Sequence, residues 1–112
     1  MFMPGRFLPE FEFYVMLAIA RLGPDAYGAR VRQEIESRTG RLVSIGALYA
    51  TLARLEAKEL VTLRTVTVSA RQRGRVRRYC RLTAAGTRAL RHSATMLTRM
   101  MDGLELVQGE GR

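Results

Sequence analysis

Residues 10–22 restrict this chain more than any other segment. Phe11, Phe13, Tyr14, Val15, Met16, Leu17, Ile19 and Leu22 fall on every side of a helix drawn through them. A helix that is apolar all round must be buried all round. The chain has 112 residues, 47% of them apolar. That is enough for one folded domain with a modest core, and not for two. So small a domain cannot easily enclose such a helix, and one of its sides is expected to face a second copy.

The rest of the chain reads as short elements with clear punctuation. Gly23-Pro24-Asp25 stops the first helix, and Asp25 stands where it could cap the next. A second helix is predicted over residues 27–39, ending at Gly40, with Val31 and Ile35 inward. Ser44 is a good N-cap for a third helix over 45–59. There Ile45, Leu48, Leu52 and Leu55 share one face at helical spacing. The opposite face carries Gly46, Ala47, Ala50, Ala53, Arg54 and Ala57 and is small in volume. It is either a plain alanine-rich solvent face or a helix whose backbone approaches a surface closely, with Arg54 reaching out.

Residues 60–68 switch to β-branched types and read as a strand. The basic stretch 69–76, with Gly74, reads as a hairpin tip, and 77–83 as the returning strand with Tyr79 and Leu82 packing. Thr83 caps a last helix over 84–107. In it Leu90, Ala94, Leu97, Met101 and Leu104 are spaced four, three, four, three. Two heptads of this seam are weak evidence for a coiled coil, but the seam has no obvious partner within the chain. Packing on a second copy, together with the first helix, accounts for it. Residues 1–9 read as an arm and 108–112 as a tail.

Charge is unevenly placed. No Asp or Glu occurs between Glu59 and Asp102, and that stretch holds ten arginines, so within a formal net charge of +9 the rest of the chain sums to about −1. Such a segment marks a polyanion partner, most often nucleic acid. The alternative is a solvated arginine-rich surface. Arg71, Arg73, Arg75 and Arg77 alternate and line one side of an extended tip, with Arg78 beside them and no nearby carboxylate to pair them. Arg88, Arg91 and Arg99 read as the solvated back of the last helix.

Other functions find little support. His92 is the one histidine, without the ligands at characteristic spacing that a metal needs. Cys80 is the one cysteine, expected half-buried in a strand. It cannot form an internal disulfide, in keeping with a cytoplasmic location. No nucleophile–base set, carboxylate pair or phosphate-cradling loop appears, so neither an enzyme nor a cofactor is expected. The longest apolar run, residues 13–20, is far short of the ~20 a membrane span requires, and no secretory signal is visible.

The order of helix, helix, helix, strand, basic hairpin, strand, helix is mainly α with a small β-hairpin wing. It describes a winged helix-turn-helix over residues 10–83 plus a C-terminal dimerisation helix over 84–107. In such a fold the third helix enters the major groove, about 12 Å wide, and the wing lays arginines on phosphates or in the minor groove.

Four segments resemble the PadR-type winged-helix transcription regulators. They are residues 11–17 (Phe-Glu-Phe-Tyr-Val-Met-Leu) leading into 22–24 (Leu-Gly-Pro), 26–29 (Ala-Tyr-Gly-Ala), 44–56 (Ser-Ile-Gly-Ala-Leu-Tyr-Ala-Thr-Leu-Ala-Arg-Leu-Glu), and 74–86 (Gly-Arg-Val-Arg-Arg-Tyr-Cys-Arg-Leu-Thr-Ala-Ala-Gly). The likeness covers about residues 10–106, and the single short last helix matches the compact subgroup. It implies a homodimer built on the first and last helices through Phe11, Tyr14, Val15 and the seam residues. It implies binding to a pseudo-palindromic double-stranded DNA operator, and usually repression of nearby genes. Some members respond to a small aromatic or drug-like ligand at the dimer interface. The DNA-contacting set expected here is Tyr27, Ser44, Gly46, Ala47, Tyr49, Ala50 and Arg54 with wing residues Arg71, Arg73, Arg75, Arg77 and Arg78. Ala29, Ala50 and Glu59 depart from the family pattern, which more often has tyrosine, proline and glycine there. The first two bear on base contacts and the third on the entry to the wing. Two rivals stay open: an RNA-binding accessory protein using the same hairpin, and a dimeric adaptor that binds no DNA.

Overall fold

A computed structural model describes residues 8–69 and 75–106. Helix α1 spans Glu10–Leu22, α2 Gly28–Thr39, α3 Ile45–Ala57 and α4 Ala84–Met101. Strands β1 (Val61–Ser69) and β2 (Arg75–Leu82) form an antiparallel hairpin between α3 and α4. This is the mainly helical, one-hairpin fold expected from the sequence. Arg71, Arg73 and Gly74 lie outside the described residues, as do the first seven residues and the tail.

The core sits where the three N-terminal helices meet the base of the hairpin. Met16, Leu48, Leu52, Leu55, Val15, Val31 and Val61 are its largest fully buried side chains, each worth roughly 1.5–3 kcal/mol of burial. Leu60, Cys80 and Leu90 extend it under the hairpin to α4. Gly86 fixes that junction, because a Cβ there would collide with the backbone carbonyl of Leu60. Thr83 caps α4 through the Gly86 amide (2.9 Å) and donates its own hydroxyl to the Glu59 carbonyl (2.7 Å).

Several expectations are corrected. α1 is not apolar throughout: Glu12 is buried in it, while Leu17 and Ala20 are exposed. Val15, expected at a dimer contact, is fully enclosed by its own chain, and so, nearly, is Leu90. Asp25 caps nothing. It belongs to a one-turn 3-10 helix (Gly23–Asp25), and Tyr27, not Asp25, holds the N-cap position of α2, without a side-chain cap. Ile45 opens α3 beyond the reach of the core and is 48% exposed. α3 ends two residues early, because Glu59 takes a left-handed conformation (φ 62°) to turn the chain into β1. β2 begins at Arg75, inside the expected tip, since Arg75 and Val76 pair with Ser69 and Thr67. α4 stops at Met101, and Leu104 follows a turn at Gly103 (φ 83°), off the expected helical seam. Cys80 is buried, not half-buried.

Candidate nucleic-acid interface

The α2–α3 connection is short and held by side chains. Gly40 ends α2 in a left-handed conformation (φ 74°), its amide donating to the Glu36 carbonyl at 2.9 Å. The Glu36 carboxylate accepts the Val43 amide (2.9 Å), and the Thr39 hydroxyl accepts the Arg41 amide (3.0 Å). Ser44 then caps α3, accepting the Ala47 amide at 3.0 Å. Two orphan amides of the turn and one of the helix are thereby satisfied by short local side chains.

α3 presents the small face expected of it. Gly46, Ala47, Ala50, Ala53, Arg54 and Ala57 are all exposed, while Leu48, Thr51, Leu52 and Leu55 are buried beneath. Tyr49 lies half-buried on one flank, its ring and hydroxyl directly over Gly28, where any Cβ would strike them. The glycine at the start of α2 is therefore what lets the two helices close to this distance.

The hairpin is tied to the helices by arginine–tyrosine stacking. The Arg78 guanidinium lies over the Tyr49 ring (5.2 Å), Arg77 over Tyr27 (4.3 Å), and Arg64 over Tyr79 (5.5 Å). Tyr27 and Tyr79 meet edge to face with centroids 5.5 Å apart. Their backbones form an antiparallel bridge, and the Cys80 amide donates to the Ala26 carbonyl at 2.8 Å. The Arg77 guanidinium also donates to the Tyr79 hydroxyl (3.5 Å), which pushes its pKa further up and keeps it cationic. Tyr27, Ala29, Tyr49 and residues 75–78 surround one open cleft of about 380 Å³. An arginine over a ring keeps its outward N–H groups available while its orientation is fixed.

On the other flank of α3 the arginines meet carboxylates. Arg54, expected to reach outward, donates to the Thr51 hydroxyl (2.9 Å) and lies 3.5 Å from Glu12, with 57% of its side chain still exposed. Glu12 is buried and accepts two hydrogen bonds from Lys58, at 2.8 and 3.1 Å. Arg41 lies over the Phe11 ring (5.0 Å) and 3.6 Å from Glu10.

Of the expected DNA-contacting set, Tyr27, Ser44, Gly46, Ala47, Tyr49, Ala50, Arg54, Arg77 and Arg78 lie on α3 or around the cleft beside it, and Arg75 stands at the tip end of β2, paired with Ser69. Arg71 and Arg73 lie outside the described residues. Sequence reasoning missed the tyrosine platforms. The Arg77-x-Tyr79 alternation, which puts both on one strand face, was the available signal. Arg41 was missed too, and nothing local distinguishes it from other surface arginines. Arg88, Arg91 and Arg99 are exposed on α4, as expected.

Of the expected dimer residues, Phe11, Tyr14 and Ala94 are half-buried, and Leu97 and Met101 are exposed along with Met100. The Tyr14 hydroxyl donates to Glu10 (3.1 Å), and that bond raises its pKa. Burial pushes the Cys80 thiol up to about 11, so it is protonated near neutral pH and a poor nucleophile. Among the described residues no cluster of three or more His, Cys, Asp or Glu could hold a metal, and no helix is long and apolar enough to cross a membrane.

Comparison with known proteins bears on this geometry. The model of the Transcriptional regulator PadR-like family matches residues 16–92. A PadR-like transcription factor from Bacteroides fragilis superposes with a TM-score of 0.67 at 25% identity, over 81% of this chain and 82% of that one. A PadR family transcriptional regulator from Eggerthella lenta gives 0.63 at 26%, over 84% and 81%. F93 from STIV, a winged-helix DNA-binding protein, shares the fold at 18% identity, with a TM-score of 0.65 over 88% and 98% of the two chains. An uncharacterized 37.1 kDa protein in transposon Tn4556 of Streptomyces fradiae is 36% identical over 89 residues. Those residues make up 80% of this chain but 23% of that protein.

Proposed function

Because the chain belongs to the PadR-like family of transcriptional regulators, whose members are not enzymes, we propose that it is a dimeric, sequence-specific DNA-binding regulator that represses nearby genes. The observation that carries this reading is the small exposed face of α3, flanked by cations on both sides. Arg77 and Arg78 stand on tyrosine platforms along one flank, and Arg54 lies on the other. A helix of glycine and alanine can bring its backbone deep into a major groove, while flanking guanidiniums reach the phosphates of the two groove walls. Leu97, Met100 and Met101, exposed along α4, support pairing with a second copy, which would set two recognition helices against half-sites about 34 Å apart. Release by a small aromatic ligand between the subunits rests on the family alone.

The test is a salt titration of binding to the DNA upstream of the protein's own gene, run beside a shuffled duplex. The upstream DNA should bind far more tightly, with affinity falling steeply as salt rises. Equal affinity for both duplexes at every salt concentration would overturn the specific regulator. Sedimentation at micromolar concentration should show a dimer.

A further inference from the structure

Glu10 and Glu12 share a pattern of partners that the regulator reading does not require. Each carboxylate has one close hydrogen-bonded partner: Tyr14 at 3.1 Å for Glu10, and Lys58 at 2.8 Å for Glu12. Each also has one arginine at longer range: Arg41 at 3.6 Å and Arg54 at 3.5 Å. The two arginines line a single open cleft of about 440 Å³ beside the start of α3, together with Phe11, Ser44, Ala47 and Ala50. Tyr49 and Arg54 are five residues apart, about 140° round the helix axis. This cleft therefore flanks the small face of α3 on the side away from the wing.

We propose that Arg41, with Arg54, is a second contact for the DNA backbone, and that Glu10 and Glu12 hold the two guanidiniums in the free protein and yield them to phosphates on binding. The proposal rests on the DNA-binding reading above. Three observations support it. Both arginines remain about half exposed, 49% and 57%, so neither has to be dug out of the fold. Neither carboxylate is stranded when its arginine leaves. Glu12, the buried one, keeps both Lys58 hydrogen bonds, and Glu10 keeps the Tyr14 hydroxyl. The base of the Arg41 side chain is fixed, because its amide is bound to Thr39 in the inter-helix turn. The Arg41–Glu10 pair, exposed on both sides, holds weakly, and Glu12, though buried, keeps Lys58 as its close partner when the half-exposed Arg54 turns away. A DNA phosphate accepts a guanidinium through two parallel hydrogen bonds and releases a condensed counterion as it does so. The exchange therefore favours the DNA.

The test uses the full chain and a fluorescein-labelled mixed-sequence duplex of about 30 bp, titrated by anisotropy between about 50 and 200 mM NaCl. The variants are Arg41→Ala, Glu10→Gln, the two combined, and a triple alanine variant of Arg75, Arg77 and Arg78. Circular dichroism checks that each is folded. Arg41→Ala should weaken binding several-fold and reduce the slope of log K against log salt by about 0.9, one phosphate. Glu10→Gln should tighten binding several-fold, and that gain should vanish when Arg41 is alanine. A wild-type slope in Arg41→Ala, with the wing variant's slope reduced, would overturn the proposal and leave the regulator reading standing. So would a Glu10→Gln gain that persists without Arg41, since the effect would then be only the loss of a negative charge. If the unmodified chain fails to bind duplex at low salt, both fall together.

Discussion

Lys58, the one lysine in the chain, places its ammonium 2.8 and 3.1 Å from the two oxygens of Glu12, the one carboxylate buried in α1. The pair ties the end of α3 to the start of α1 across 46 residues of sequence. A buried carboxylate left without its cation is costly, whereas removing both charges together is cheap. Lys58→Met should therefore destabilise the fold by about 2–3 kcal/mol, with Arg54 covering part of the loss. Adding Glu12→Gln should restore most of it. Urea denaturation of the four members of this cycle checks the sign and size of the coupling.

Glu59 carries a left-handed backbone (φ 62°) between α3 and β1, a conformation that costs a side-chain-bearing residue about 1–2 kcal/mol. Glycine adopts it freely but loses more entropy on folding. Glu59→Gly should stabilise the protein by a net ~0.5–1 kcal/mol, read as a rise of several degrees in Tm. The hydrogen bond from Thr83 survives the change because it goes to the backbone carbonyl of residue 59.

Two glycines should respond differently to alanine. At Gly86 the new methyl meets the Leu60 carbonyl, which is backbone and cannot swing away, so Gly86→Ala should cost about 3 kcal/mol or prevent folding. At Gly28 it meets the far end of the Tyr49 side chain, which can move. Gly28→Ala should cost about 1–2 kcal/mol of stability. Because the displaced ring carries Arg78, it should weaken duplex binding by more than its stability loss explains. Thermal unfolding and anisotropy on the same samples separate the two effects.

Burial holds the Cys80 thiol protonated up to about pH 11, against an ordinary value of 9.0. Below pH 9 the thiol is neutral in both folded and unfolded chains. Between about 9 and 11 the unfolded chain gives up this proton and the folded one retains it, so stability falls as pH rises, by at most ~2–3 kcal/mol. The urea midpoint should therefore drop between pH 8 and 10.5 more in the wild type than in Cys80→Ala. At pH 7.5 a maleimide should label the native thiol only as fast as the fold opens.

The Tyr27 ring joins the wing to α2 through Arg77 and Tyr79. Tyr27→Leu keeps the apolar bulk but removes the π-face, with an expected loss of about 1 kcal/mol of stability. Under the DNA-binding reading it should also lower affinity several-fold. Tyr27→Phe should retain most of both. Hydrogen exchange at the Arg77 and Cys80 amides reports directly on how firmly the wing base is held.

What the sequence revealed and what it hid follow from the range of the interactions. α1, and the end of α2, match the expectation because Pro9, Gly23 and Gly40 punctuate them locally, and the Ser44 and Thr83 caps lie within three residues of the amides they bind. The small face of α3 was legible because periodicity alone assigns faces. Arg75 carries no strand signal of its own and Val76 is a single β-branched residue beside it, so both become strand through pairing with β1. Nothing local marks Glu12 as a core residue of α1, because its partner stands 46 positions away. Which ring each arginine stacks on was hidden for the same reason: Arg78 and Tyr49 are neighbours only once the hairpin folds back on α3.

The exposed face of α3 has a thermodynamic consequence. Gly46, Ala47, Ala50, Ala53 and Ala57 have no rotamers to lose. Docking this face against any surface freezes almost no side-chain motion, and it carries few groups that must shed water first. Its contribution to binding should therefore be set by fit of shape, with methyl groups against thymine methyls or sugar edges. Discrimination by hydrogen bonding falls to the few longer side chains at its margins. Each alanine replaced by a longer residue would gain a chemical contact and lose mobility in the same step.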